Sequence, residues 1–261
     1  MTATGIMDID LNADLGEGFG PWRMGEDESL LEVVSSANIA CGFHAGDPLI
    51  MDRTVRMARE RGIDVGAHVG FPDRQGFGRR IMQIDVAELA TMVIYQLGAL
   101  SGLAQAAGAR VTHMSFHGAL GNMAAADAAL ADPLVRAVAD FDPRLIVSSS
   151  SSQAIEQAAE RHGLTVATTF LADRAYDDAG LLVPRKLPNS VIKDEDTVLA
   201  RVRQLLQSGT VTTYSGATIP MQARSFLLHG DTPGAVALAR TIRREIEAGG
   251  GRIVPISRQG L

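Results

Sequence analysis

Residues 34–58 read VSSANIACGFHAGDPLIMDRTVRMA, and they hold one complete unit of a fold. A run closing at Ala40 predicts a strand over Val34–Ala40. A polar, glycine-containing turn follows as far as Gly46. Asp47-Pro48 then sets a capping side chain ahead of a proline suited to the first helical position. Beyond it, Met51, Val55 and Ala58 fall on one face of a helix. Strand, polar turn and helix in that order are the repeating element of α/β proteins, in which parallel strands are joined by helical crossovers.

The same alternation runs outward in both directions. Further strands are predicted over Met7–Leu11, Ile63–Ala67, Val111–Phe116, Leu145–Ser149, Val166–Phe170 and Ser225–Leu228. Helical faces are marked by Val86, Leu89, Val93, Leu97 and Leu100, by Val198, Val202 and Leu205, and by Leu238, Ile242 and Ile246. Asp194-Glu195-Asp196 puts negative charge where a helix dipole favours it, and Thr232-Pro233 repeats the cap-proline signal. Ser148–Ser152 reads as a tight loop and helix cap. TVTTYSGATIP at Thr210–Pro220 reads as a β-hairpin inserted ahead of the last strand. About seven units with no Pro/Ser linker favour one β/α barrel over residues 1–261, with a doubly wound open sheet as the alternative.

Composition narrows the function classes. The chain has 261 residues, 24 Lys and Arg against 30 Asp and Glu, and a net charge of −6. That balance, with no basic run, excludes nonspecific binding to nucleic-acid phosphates. Cys41 is the only cysteine, so an intrachain disulfide and a thiolate zinc cage are both ruled out. The start MTATGIMDIDLN lacks a basic, apolar signal, and no window reads as membrane-spanning, so the expectation is a soluble cytoplasmic chain. Homo-oligomerisation stays open.

Polar residues gather where the predicted strands end. Asn12, Asp14 and Glu17 follow the first, and Asn38, Cys41 and His44 close the second. His68 ends the third and His117 the fourth. Asp173 and Arg174 follow the sixth, His229 and Asp231 the seventh. In a β/α barrel these ends share one mouth, where active sites form. Of six histidines, only His113 and His162 lie elsewhere. Any one of the four reads equally well as a structural hydrogen-bonder; jointly they mark a site. Asp14 with His44, His68 or His117 offers oxygen and nitrogen ligands to a divalent metal, although no HExxH-like spacing fixes the geometry. Cys41 near His44 reads as a packing residue before it reads as a nucleophile. Gly16, Gly18 and Gly20 do not match the dinucleotide fingerprint, and no GxxxxGK[ST] phosphate loop exists.

SSANIACGFHAGDP at Ser35–Pro48 resembles the LamB/YcsF family of 5-oxoprolinase A subunits. The resemblance continues through NADLGEGFG, GAHVGFPD, GFGRRIM, YQLGAL, HGAL, ADRAY, LVPR and HGD, and so covers nearly the whole chain. It implies a barrel akin to the glycoside hydrolase/deacetylase fold. It further implies cleavage of 5-oxoproline to glutamate with ATP as co-substrate, in a complex with subunits B and C. On that implication Asp14 and one of His44, His68 and His117 move protons to and from water and the lactam nitrogen. The remaining histidines, glycine-rich amides and Arg174 stabilise oxyanion or phosphate charge. Asn12, Glu17, Asn38, Asp173, Arg174, His229 and Asp231 are the expected substrate-binding set.

The chain departs from the family pattern at four places. KPHGALYN is here SFHGALGN, with Ser115, Phe116 and Gly121. Thr169 or a neighbour stands for a glutamate, Arg224-Ser225 for Asp-Thr, and HVGFPD for HPGYPD. Two other readings therefore stand beside the first: a metal-dependent amide hydrolase or deacetylase, and a divergent binding paralogue without activity.

Overall fold

The computed structural model describes residues 7–230 and 234–261. The strands are β1 (Asp8–Leu15), β2 (Ser36–Ala40), β3 (Asp64–Val69), β4 (Val111–Phe116), β5 (Ile146–Ser149), β6 (Thr165–Leu171), β7 (Thr210–Thr212), β8 (Thr218–Pro220), β9 (Ser225–Leu228) and β10 (Arg252–Ile253). The helices are α1 (Asp27–Leu30), α2 (Pro48–Glu60), α3 (Val86–Ala106), α4 (Gly118–Ala126), α5 (Ala128–Phe141), α6 (Gln153–Arg161), α7 (Glu195–Ser208) and α8 (Ala235–Ala248). Strands β1 to β6 and β9 pair in parallel in that order, and β9 returns to β1 with Asp10 opposite Ser225 and Ala13 opposite Leu228. That last pairing closes a seven-stranded barrel and removes the open-sheet alternative.

Strand alternation divides the barrel wall into two chemistries. Ile9, Leu11, Ala13 and Leu15 of β1 belong to the apolar layer beneath the helices. Asp10, Asn12 and Asp14, on the opposite face of the same strand, bond across the interior. A small apolar plug of Ile146, Ala167 and Ile256 sits apart from the main core. Ile256 belongs to the short C-terminal turn Ile256–Arg258, tied to the barrel by Ser257 N donating to Asp64 at 2.8 Å.

β1 runs to Leu15, past the expected end at Leu11, so Asn12 and Asp14 are strand residues. Their polarity reads as a loop, yet it serves a polar barrel interior. β2 begins at Ser36, since Ser35 turns its hydroxyl to Asp10 and to the Leu11 backbone. Asp47 caps α2 by accepting from Leu49 N and Ile50 N at 2.9 and 3.0 Å, worth about 0.5–2 kcal/mol. Asp194 does the same for α7 through Thr197 N. Ser152 caps α6, which accounts for the serine run. The inserted hairpin pairs Thr210 with Pro220 and Thr212 with Thr218, antiparallel. Thr232-Pro233 lies outside the described residues; α8 begins after Gly234.

One sequence expectation needs correcting. Helix α3 is long and apolar enough to cross a bilayer by length and composition. Here its Leu89, Val93, Leu97 and Leu100 face is buried on the barrel, and it packs against α5. Gln96, fully buried, donates to Gly70 O and accepts from Gly70 N, both at 3.0 Å. A buried apolar stripe with a committed amide is the pattern of a helix under a barrel wall.

Candidate functional site at the barrel mouth

A line of hydrogen bonds climbs the barrel axis. Asp10 accepts from Ser35 at 2.7 Å, Ser36 at 2.6 Å and Ser225 at 2.5 Å, and burial pushes its pKa up despite these bonds. Asn12 donates to Asp10 and to Ser225. Asn38 donates to Asn12 Oδ1 at 3.2 Å and to Asp14 Oδ1 at 3.0 Å, while its own Oδ1 lies 3.0 Å from His113 Nε2. His113 reaches β2 by passing over Gly66 of β3. A Cβ there would overlap the His113 ring, so only glycine leaves the passage open.

Above this line three imidazoles and two carboxylates meet. Asp14, Glu17, His44, His68 and His117 are each at most 4% exposed. Asp14 Oδ2 lies 3.5 Å from His68 Nε2. His68 Nε2 lies 2.9 Å from His117 Nδ1. Glu17 Oε1 lies 3.6 Å from His44 Nε2 and 3.8 Å from His117 Nδ1. The His44 and His117 rings stack with centroids 3.8 Å apart. Burial holds all three imidazoles below the usual histidine range, His44 and His117 well below it, with neighbouring histidines adding to the effect. Neutral rings carry one N–H each, and the partners decide which. His117 Nε2 must donate to the Phe77 carbonyl at 2.8 Å, which leaves Nδ1 as an acceptor facing the cluster. His68 Nδ1 meets Ser115 Oγ at 2.6 Å, a hydroxyl that both donates and accepts.

The segment Asp73–Arg80 covers the cluster. Asp73 is ion-paired with Arg80 and accepts from Gly76 N, which folds the segment back on itself. Phe77, at φ 53°, meets His44 and His117 edge-on. Gly78, at φ 61°, comes so close that a Cβ would stand 2.7 Å from His44 Cβ. Arg79 packs its guanidinium on the Phe77 ring, 4.7 Å from its centroid. Beside this cover lie two surface cavities of about 780 and 460 Å³. The larger is bounded by the Gly18–Ser29 segment and α2. Neither is lined by the histidines, which are themselves at most 4% exposed.

A second group flanks the mouth. His229 Nδ1 lies 2.8 and 2.9 Å from the two Asp173 oxygens, and Arg185 donates to His229 Nε2 at 3.0 Å. Burial raises the Asp173 carboxyl, but its contact with His229 and the charges of Arg185 and Arg174 outweigh it and hold the pKa below the usual value. Arg174 itself is not offered to a ligand. Its Nε and Nη2 are taken by the Ser190 and Val183 carbonyls at 3.1 and 2.6 Å, and burial lowers its pKa to about 10. Its placement fixes the loop after β6, contrary to the expected role on oxyanion or phosphate charge. Cys41 fails as a nucleophile: burial pushes its thiol up to about 12, and Sγ points at Ile39 O. Asp231 lies outside the described residues.

Of the expected residues, Asn12, Asp14, Glu17, Asn38, His44, His68 and His117 form one contiguous network. Asp173 and His229 form the flanking pair. Sequence reasoning missed Asp10 and His113, which sit mid-strand at even spacing from Asn12 and from Ser115. That spacing was the available signal, since a period of two places them on the interior face. Arg185 in LVPR and Phe77 in GFGRR carried no signal beyond the motifs themselves.

The profile of the LamB/YcsF family matches residues 9–260. A protein of Ralstonia nicotianae, named as a 5-oxoprolinase A subunit, is 71% identical over 253 residues, covering 97% of each chain. One of Pseudomonas syringae pv. tomato, also named as a 5-oxoprolinase A subunit, is 70% identical over 251 residues, 96% of this chain and 98% of its own. The crystal structure of a lactam utilization protein from Thermus thermophilus superposes with a TM-score of 0.89 at 38% identity, covering 96% of this chain and 100% of that one.

Proposed function

The chain belongs to the LamB/YcsF family, and from that premise we propose that it is the A-type subunit of an ATP-dependent 5-oxoprolinase. Its reaction is the opening of 5-oxoproline to L-glutamate, carried out with B- and C-type partners. The observation that carries this reading is 71% identity, over 97% of both chains, to a relative bearing that name.

A lactam resists hydrolysis because its nitrogen donates into the carbonyl. Phosphoryl transfer from ATP to the lactam oxygen releases ADP and leaves the carbon electrophilic. Water then adds to that carbon, the ring C–N bond breaks as nitrogen takes a proton, and the resulting acyl phosphate is hydrolysed to glutamate and phosphate. ATP binding falls to the partners in this scheme, in keeping with the missing GxxxxGK[ST] loop.

This chain supplies proton transfer. Asn38 fixes one oxygen of Asp14 and leaves the other toward His68, so the pair is oriented to take a proton from water. His117, whose Nδ1 accepts from His68, is placed to take that proton and pass it to the ring nitrogen. Arg79 and Arg185 replace Arg174 as the cations for developing negative charge. Substrate reaches these buried atoms only when the Asp73–Arg80 segment swings aside.

The test is glutamate release from 5-oxoproline and ATP by the chain mixed with its B- and C-type partners. Turnover that depends on all components supports the reading. No glutamate from the full mixture, with each component folded, overturns it.

A further inference from the structure

The proton path leaves one imidazole of the barrel interior without a role. His113 is fully buried on β4, and its Nε2 lies 3.0 Å from Asn38 Oδ1. Its Nδ1 lies 2.9 Å from Thr112 Oγ1, a hydroxyl that also stands 3.2 Å from the Val65 carbonyl. Burial lowers the pKa of the ring, helped by His68 and opposed by the carboxyls of Asp10 and Asp64. The ring is therefore neutral near pH 7 and carries a single N–H.

Counting donors fixes where that proton sits. Asn12 turns its NH2 to Asp10 and Ser225, so its Oδ1 faces Asn38. Asn38 thus stands between two oxygens, Asn12 Oδ1 at 3.2 Å and Asp14 Oδ1 at 3.0 Å, and must give a hydrogen to each. With its NH2 spent on them, its Oδ1 faces His113 as an acceptor. His113 must then be protonated on Nε2, and its Nδ1 takes the Thr112 hydroxyl proton. The opposite tautomer would turn the amide round and set its oxygen against both Asn12 Oδ1 and Asp14 Oδ1. A buried site does not tolerate such unpaired acceptors.

We infer that His113 is a positioning residue for the proton path, holding the Asn38 amide in the one orientation that puts a hydrogen on Asp14 Oδ1 and leaves Asp14 Oδ2 to His68. Its effect on Asp14 stands on geometry, and its effect on rate rests on the lactam reading. Asp14 Oδ2 lies 3.5 Å from His68 Nε2, an approach kept by anchoring the other oxygen. Asn38 spends both amide hydrogens inside the barrel, so it supports Asp14, where the sequence pointed to substrate. Strand β4 and the residue after it then serve the path at a period of two. His113 sets Asp14 through Asn38, Ser115 bonds His68, and His117 takes the proton.

Two variants of the full-length chain test it in the reconstituted enzyme. His113→Leu keeps the bulk and removes the donor, whereas His113→Gln keeps an N–H within reach of Asn38 Oδ1. His113→Leu is expected to lower kcat about 10²-fold with KM little changed, the effect of misplacing a catalytic group by about 1 Å. His113→Gln should recover most of that loss, and Tm shows whether both variants are folded. A wild-type kcat for folded His113→Leu, or equal kcat for the two folded variants, overturns the inference. Long-range ¹H–¹⁵N spectra of the chain alone need no turnover. They are expected to show wild-type His113 protonated on Nε2 and bare on Nδ1, and the His68 signals shifted in His113→Leu. Should the variants unfold, the wild-type tautomer decides, and a proton on Nδ1 in place of Nε2 overturns the inference. If the wild-type mixture releases no glutamate, the lactam reading falls, and the spectra still decide what His113 does to Asp14.

Discussion

His44 and His117 lie face to face, ring centroids 3.8 Å apart and planes 4° from parallel. Two imidazolium ions could not stack this way in a buried site, so the contact requires at least one neutral ring. Burial and mutual proximity hold both pKa values well below the ordinary range. The rings therefore act as neutral imidazoles, through lone pairs and N–H groups, which is what proton transfer needs.

In the reconstituted enzyme, Asp14→Asn, His68→Gln and His117→Gln are expected to lower kcat about 10²–10⁴-fold, the usual contribution of a positioned acid or base. Far-UV circular dichroism and Tm, measured alongside, separate this from misfolding. A variant that stays within about tenfold of wild type removes that residue from the proton path.

The isolated chain is expected to hydrolyse neither ATP nor 5-oxoproline. Its sequence has no phosphate loop, and its relatives are named as one subunit of an enzyme. Phosphate release and glutamate release from the purified chain measure this directly, and robust turnover by the chain alone would refute the division of labour.

Gly66→Ala tests the polar interior. The added Cβ runs into the His113 ring, so either that ring leaves Asn38 or β3 shifts. Overpacking of this kind costs about 1–3 kcal/mol. Loss of the His113 bond would also loosen Asn38 and, through it, Asp14. Both Tm and kcat are expected to fall.

Asp173 gives a pH test. Its folded pKa lies below the ordinary carboxylate value, with His229 the leading cause that overcomes burial. Between those two values the unfolded chain binds the extra proton, so stability rises with pH there. The contribution is present above about pH 4 and lost as pH falls through the lowered folded pKa. Asp173→Asn should cost about 1.5–3 kcal/mol near neutrality in urea unfolding, with the gap to wild type closing as pH falls through the lowered folded pKa. A gap independent of pH would mean that His229 does not depend on the Asp173 charge.

Legibility in the sequence followed a simple physical division. Helix caps such as Asp47 and Asp194 were readable because their chemistry is local. The barrel was readable because apolar periodicity repeats along the chain. Asn12 and Asp14 read as loop residues, since polar side chains in a strand look like its end unless the interior they face is also polar. Arg174 looked like a ligand for anions, but its guanidinium serves the backbone carbonyls of Val183 and Ser190, well beyond it in the chain. No local signal marks such a destination. The same holds for the cluster of Glu17, His44, His68 and His117, assembled from four segments of the chain.

Ser115 decides whether the departure from the family pattern is a loss or a refit. The resemblance places a lysine here, and strand alternation puts it on the same face as His117. The interior position is occupied by a working contact: Ser115 Oγ lies 2.6 Å from His68 Nδ1 and is buried. A lysine can only donate to that nitrogen, so it would hold His68 in the Nε2–H tautomer. Its ammonium would also stand beside His68 in a site where burial already disfavours charge on the ring. Ser115→Lys is therefore expected to lower kcat/KM for 5-oxoproline more than about tenfold in the reconstituted enzyme, with most of the change in kcat. Steady-state kinetics on wild type and variant check this outcome. A rise in kcat/KM with a lower KM would instead mark the position as a substrate anchor that this chain has given up, and would make Ser115 a cost to the lactam reaction.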